Sequence, residues 1–334
     1  MIYTKPYFFD EFRCKADKCT DTCCAGWEVD IDNESYAKYK TVSGEFSKRL
    51  LDGIDASGEV PCFKLCGDER CVFLNKSGLC DIYSELGEDY LCEICREHPR
   101  FYDFFDGVTE MGLGLCCEKV CEMIFESDKP VTFESFCVDD DDFIDEEDNL
   151  YFMIREKCFE IIYNREETLY NRIGTLLDYA VAVQNEIFAD EYAVRSCDDV
   201  TSLFDAVIDI FAETEPINDE WQVFISDMQK NRGRISAAKD SFLFNEHEYE
   251  QVLIYITYRH FMQSRFTGNI LPSVCFAVVS LIFIYLADCK IFADNNMYTN
   301  EDRIFSVKLW SKQIEYSEEN TQFVAEKAFD LLVD

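Results

Sequence analysis

The sequence predicts an α+β protein, mainly α: a cysteine-rich, loop-rich N-terminal module followed by a helical C-terminal domain. Three observations carry this. Of the 18 cysteines, 14 lie between Cys14 and Cys137, and the rest of the chain holds only Cys158, Cys197, Cys275 and Cys289. Between Gly58 and Cys121, Gly, Pro, Asp and Asn recur among short apolar stretches, the composition of loops. Beyond residue 150 the apolar residues instead return every three or four positions. The expected division is a module over residues 1–138, an acidic linker over 139–150 and a helical domain over 151–334.

Taken in order, Trp27 to Asp32 (WEVDID) alternates apolar and acidic residues, the period of a half-buried strand. Tyr36, Tyr39, Phe46, Leu50 and Leu51 then suit one helix over Ser35–Leu51, with Asn33 or Ser35 as N-cap and Gly53 beyond its end; Gly44 interrupts the pattern. The run from Asp139 to Asp148 has eight acidic residues in ten, and like-charge repulsion predicts a solvated linker. Helical stripes follow at Ile154, Cys158, Ile161 and Ile162, at Ile173, Leu176, Leu177 and Ala180, and at Phe323, Phe329, Leu331 and Leu332. The apolar run Ile270 to Ala287 approaches a membrane-spanning length, but it contains Pro272, Ser273, Ser280 and Tyr285 and has few flanking Lys or Arg. It reads as a buried helix of a soluble protein, with no membrane insertion.

A chain of 334 residues is long enough for two domains with their own cores, so stability does not require disulfides. The opening MIYTKPYFFDEF has no basic segment leading into an unbroken apolar one, which predicts a cytoplasmic protein with reduced thiols. A net charge of −36 excludes a nucleic-acid partner, since phosphate binding draws on Lys and Arg. Such a surface suits a basic or lysine-bearing partner, or serves solubility alone.

The chemistry-bearing residues are the clustered cysteines: Cys14, Cys19, Cys23 and Cys24; Cys71 and Cys80; Cys92 and Cys95; and Cys116, Cys117 and Cys121. Close spacing lets a short loop deliver two thiolates to one metal ion, and zinc or iron needs about four. In a loop-rich segment, metal bonds supply folding energy that a small core lacks. Isolated cysteines are more often small buried hydrophobes, and Cys158, Cys197, Cys275 and Cys289 read that way. Zinc ribbons carry two CxxC knuckles, whereas this chain has one; this favours iron–sulfur over zinc, and the CxxxCxxC triplet of ordinary radical enzymes using S-adenosylmethionine is absent. His98 reads as local structure more than as a ligand. Arg100 is equally a partner for a negative cluster or carboxylate and an ordinary surface residue.

These residues resemble the flagellin lysine-N-methylases. The likeness lies in CxxxxCxDTCCxGW (Cys14 to Trp27), Glu28 to Asp32, CxFLxxxxLCDI (Cys71 to Ile82), LGEDYLCxxC (Leu86 to Cys95) and the HPR step, and more loosely in Tyr255 to Gly268. The paired Cys23 and Cys24 are also shared with the wider class of zinc- or iron-chelating cysteine-rich proteins. The resemblance implies methyl transfer from S-adenosylmethionine to lysines of flagellin or a related surface protein, in a chain carrying a 4Fe–4S cluster. The ligands it nominates are Cys14, Cys19, Cys23, Cys24, Cys71, Cys80, Cys92, Cys95 and Cys117. Cys62, Cys66, Cys116 and Cys121 depart from the family's pattern.

Lysine methylation requires the neutral amine, and a free lysine has a pKa of about 10.4, so the pocket must remove a proton, a task open to carboxylates or tyrosines. Gly112 to Cys116 (GLGLC) has two glycines but no following helix pattern, so no cofactor-binding residue is assigned. The rival expectations are a non-enzymatic zinc- or iron-chelating protein and a zinc-stapled scaffold.

Overall fold

The computed structural model describes residues 1–20, 22–137, 144–196 and 199–334. They form two compact units: one of Glu11–Phe101 with Cys117–Lys119, the other of Met1–Asp10, Tyr102–Cys116 and Val120–Asp334.

The cysteine-bearing unit is built of short helices and two-residue strands. Its alternating segment buries Val29 and Ile31 and exposes Glu28 and Asp30, as its period requires. It does not become a strand. Its partner Cys62–Phe63 is only two residues long and also pairs with Ile54–Asp55, leaving a single bridge, Asp30 to Cys62.

The expected Ser35–Leu51 helix is two helices, Asn33–Tyr39 and Glu45–Asp52, divided at Gly44 with φ 100°. That left-handed backbone breaks the helical ladder and suits glycine alone. The first N-cap is Asp32, whose carboxylate accepts from Ser35 N at 2.8 Å and also from Glu93 N at 2.9 Å. Tyr39, Leu50, Phe63, Phe73 and Ile82 make the core, with Cys71 and Cys92 buried among them.

The other unit is mainly helical. A four-stranded sheet in the order Arg100–Phe105, Val108–Leu113, Ile2–Pro6, Phe133–Cys137 was not read from the sequence. Ile2–Pro6 runs parallel to Val108–Leu113 and antiparallel to Phe133–Cys137, with Ile2 opposite Cys137. Of the expected linker, residues 139–143 lie outside the described residues, and Glu146–Leu150 begin the helix Glu146–Ile162. Acidic residues suit that position: Asp145 caps the helix by accepting from Glu147 N at 2.9 Å, and Glu146, Glu147 and Asp148 face the positive end of its dipole.

The apolar run lies in the helix Leu271–Asn295, with Pro272 in its first turn, where the missing N–H breaks no hydrogen bond. By length and composition this helix could cross a membrane, yet 89% of its apolar stretch is buried within the fold. It packs against helices Leu169–Phe188, Glu246–His260, Asn300–Ile314 and Glu318–Leu332. Phe283 stacks on Phe211 with ring centroids 4.0 Å apart. The stripes at Ile154, Cys158 and Ile162 and at Leu176, Leu177 and Ala180 are buried as expected. In the last helix the buried face is Asn320, Val324, Ala328 and Leu332 instead of Phe323, Phe329 and Leu331, and this helix packs on the Leu271–Asn295 helix.

Candidate metal centre

The nine nominated cysteines fall into two groups. Cys14, Cys19 and Cys23 lie within electrostatic reach of Cys117, far away in sequence. Glu118 holds this arrangement. Its buried carboxylate pairs with Lys15 and accepts from Thr20 N at 3.0 Å, which fixes the 14–20 segment beside the neighbour of Cys117. Burial, with Glu118 and the nearby thiols Cys117 and Cys14 adding to it, pushes the Cys19 thiol up to about 11.

Cys24, Cys71, Cys80, Cys92 and Cys95 border one apolar core. Cys71 N donates to Cys24 O at 2.8 Å, and Cys80 and Cys92 are the N-caps of helices Asp81–Leu86 and Glu93–Glu97. Backbone N–H groups turn toward these sulfurs: that of Phe73 to Cys71, those of Ile82 and Tyr83 to Cys80, and that of Cys95 to Cys92. Burial pushes the Cys71 thiol up to about 11.

The adjacent Cys23 and Cys24 thus belong to different groups, and their thiols hydrogen-bond to each other. With Cys23 as donor, the Cys24 thiol is drawn down to about 7, helped by the Thr22 hydroxyl and by Arg70. Cys92 and Cys95 form the same kind of pair, which lowers Cys92 and raises Cys95. Paired thiols with amide donors around them are the donor types that iron–sulfur clusters and zinc use, although burial favours the protonated thiol. Among the described residues, no three His, Cys, Asp or Glu side chains stand at metal-ligating spacing.

Other candidates separate clearly. Cys158, Cys275 and Cys289 are fully buried on helices, and burial pushes each thiol up to about 12. Cys197 lies outside the described residues, as does Asp21 of the N-terminal motif. His98 precedes Pro99 through a cis peptide bond, its ring 6.0 Å from that of Trp27, while the Arg100 guanidinium lies over the Phe12 ring. A helix, Glu118–Phe125, does follow the GLGLC glycines, contrary to the sequence reading. The turn between them is filled. A Cβ on Gly114 would stand 2.7 Å from Tyr316 Oη and 3.3 Å from Arg259 Nη1, so this glycine serves packing.

Sequence reasoning also missed a buried polar cluster in the Tyr255–Gly268 segment. Glu315 accepts from His260 Nε2 at 3.0 Å and pairs with Arg259 at 3.3 Å; Arg259 donates to Tyr255 Oη at 2.7 Å. The Cys116 thiol lies 2.8 Å from Tyr316 Oη. A second cluster couples Arg155 to Glu110 through two hydrogen bonds, one of 2.7 Å, with both side chains 3% exposed. Arg155 sits three positions before Cys158 on the same apolar face. A cation interrupting an otherwise apolar stripe was the signal available.

Residues 155–330 match the family model described as the FliB lysine N-methylase C-terminal domain, which is more than half of the chain. The chain belongs to this lysine N-methylase family. Among similar proteins, the flagellar biosynthetic protein FliU of Salmonella muenchen is 26% identical over 132 residues, covering 37% of this chain and 77% of FliU. The lysine-N-methylases of Salmonella typhimurium and Salmonella choleraesuis are each 26% identical over 132 residues, again 37% of this chain but 32% of theirs. The chain therefore aligns with about a third of those two methylases. No solved structure matches. The family match includes Arg155, Arg259, His260 and Glu315, whereas all nine nominated cysteines precede it.

Proposed function

We propose that this chain is a cytoplasmic protein-lysine N-methyltransferase that uses S-adenosylmethionine to modify flagellin or a related lysine-bearing surface protein. The observation that carries the reading is the family match over residues 155–330. The net charge of −36 supports a lysine-bearing protein partner, since a cationic substrate is drawn to an acidic surface. S-Adenosylmethionine supplies the electrophilic methyl: the substrate ammonium first gives up a proton, then the nitrogen lone pair forms the N–C bond as the S–C bond breaks and its electron pair stays on sulfur, leaving a methylammonium. The chain's own task is to orient a neutral amine, and its many carboxylates are available to take that proton.

The cysteine unit is proposed to hold a 4Fe–4S cluster. Supporting this are the thiol pairs Cys23–Cys24 and Cys92–Cys95 and the amide donors around Cys71 and Cys80. The test is anaerobic purification with a UV–visible spectrum and iron, sulfide and zinc analysis, then incubation with flagellin and methyl donor, read by peptide mass spectrometry. About four irons per chain and methylated flagellin lysines are expected. Cys95→Ala should bleach the protein and Cys158→Ala should leave its iron unchanged. A colourless zinc protein would refute the cluster, and unmodified flagellin beside a loaded protein would refute the substrate.

A further inference from the structure

The four-stranded sheet ends in an open strand. Phe133–Cys137 pairs on one side with Ile2–Pro6, and its other side joins no strand among the described residues. Residues 134–137 are exposed. Such an edge presents a row of backbone N–H and C=O groups, to which an extended segment of another protein can add as a further strand. Main-chain bonds accept a segment of almost any composition, so the side chains beside the edge decide what the segment must carry.

Between this end of the sheet and the helix Glu146–Ile162 lies a cavity of about 510 Å³. Ile2, Thr4, Phe133 and Ser135 line it, which identifies the sheet face that borders it; Thr4 and Ser135 are register partners with hydroxyls 2.9 Å apart. A residue of an added strand level with Ser135 points to that same face, because side chains at one level of a sheet share a side. The charged lining residues select its kind. They are Glu110, Arg155 and Glu156. Arg155 is held by Glu110 through two hydrogen bonds, one of 2.7 Å, so these two charges cancel. The carboxylate of Glu156, exposed on the helix, is left as a net negative charge. Partial burial raises this carboxyl above its ordinary value, with Arg155 opposing and Glu110 and Glu160 adding to the shift. A cation alongside would offset that environment, and the volume takes a lysine side chain with the water around its head.

We propose that the Phe133–Cys137 edge and this cavity form a docking site for the protein substrate, in which an extended lysine-bearing segment adds as a fifth strand and one lysine places its ammonium against Glu156. The inference rests on the lysine-methylase reading above and says how that substrate is held. The docked lysine is not the one that reacts. A carboxylate stabilises the ammonium, whereas methylation requires the neutral amine. A substrate therefore carries one lysine to dock and another to be methylated.

The test is fluorescence anisotropy of a labelled peptide of alternating lysine and threonine titrated with the full purified chain, beside hydrogen exchange of the chain with and without that peptide. Saturable binding and slowed exchange of the residue 133–137 amides are expected. Glu156→Gln should weaken binding about five-fold, the upper end for a solvent-exposed ion pair, and Glu156→Lys should abolish it. Glu326→Gln removes the same charge at an exposed position of the last helix and should leave the Kd unchanged. Urea midpoints check folding, and if Glu156→Lys is destabilised, Glu156→Gln decides. Equal weakening by Glu156→Gln and Glu326→Gln would mean attraction by net charge alone and overturn the site, as would an unprotected strand or the absence of saturable wild-type binding. Flagellin methylation by the wild type is measured apart from these. Methylated flagellin beside any of those failures would overturn the docking site and leave the methylase reading standing, whereas unmodified flagellin would overturn that reading.

Discussion

Asp288 sits fully buried in the helix Leu271–Asn295 and accepts hydrogen bonds from the hydroxyls of Tyr249 and Ser306. Tyr298 and Arg303 also lie near it, but Arg303 already pairs with Glu248 at 2.7 Å. Burial outweighs these partners and pushes the carboxyl up to about 7, whereas in the unfolded chain it returns to about 3.9. Between those values the folded protein keeps a proton that the unfolded chain has released, so this group's contribution falls as pH rises and levels off above about 7. Each pH unit is worth about 1.4 kcal/mol, so the loss between pH 5 and 7 is about 3 kcal/mol. Asp288→Asn keeps the shape and cannot ionise. Urea unfolding followed by tryptophan fluorescence, with variant and wild type compared at each pH from 5 to 8, isolates this group from the other carboxylates. The variant should gain about 3 kcal/mol relative to wild type across that range. A difference that stays constant with pH would refute the reasoning, because Asp288 would then ionise alike in both states.

Glu250 accepts from Arg172 Nη1 at 2.5 Å and from Arg165 Nη2 at 2.6 Å. Since Arg172 is 3% exposed, Glu250→Ala should cost about 3–5 kcal/mol, read as a lower urea midpoint at unchanged slope. Glu250→Met with Arg172→Met should recover much of that loss, because no buried charge is then left alone. In the cysteine unit, Gly53→Ala should cost about 1–3 kcal/mol. Its new Cβ would press on Phe73 Cζ, 2.9 Å from Cε2 and 3.1 Å from Val72 Cγ2, in a core where Phe73 is buried. Reduced thermal stability together with weaker metal retention would bear this out.

Much of the helical fold was legible because its signals are local. The stripes at Ile154, Cys158 and Ile162 and at Leu176, Leu177 and Ala180 mark buried faces directly. The sheet was not legible, because its pairing depends on partners far away in sequence: Ile2 faces Val108 on one side and Cys137 on the other. Asp106–Gly107 joins two of its strands by a two-residue turn, a local hairpin signal that the sequence does carry. The acidic run is described only from residue 144 onward, and from Glu146 it is helical. Repulsion argues for a linker when the charges are taken alone, but Asp145 to Asp148 stand where a helix N-terminus stabilises negative charge.

The candidate site divides the same way. Spacing picked out the cysteines as a class but could not sort them, and it gave no sign that Cys71 and Cys92 would be buried in an apolar core. Cys117 reaches Cys19 because Glu118 binds Lys15 and Thr20, a contact spanning about a hundred residues that no spacing rule contains. Cys23 and Cys24 are adjacent in sequence, whereas Cys23 neighbours Cys14 and Cys117 and Cys24 borders the core with Cys71 and Cys80. Cys23 and Cys24 sit in a turn with their thiols hydrogen-bonded to each other, so this step links the two thiol groups directly. A substitution at Cys23 should therefore perturb the Cys14–Cys19–Cys117 group and one at Cys24 the Cys71–Cys80–Cys92–Cys95 group. Cadmium–thiolate absorbance titrated into Cys23→Ser and Cys24→Ser would then show losses attributable to separate steps, and identical titration curves would mean that the two residues serve a single group.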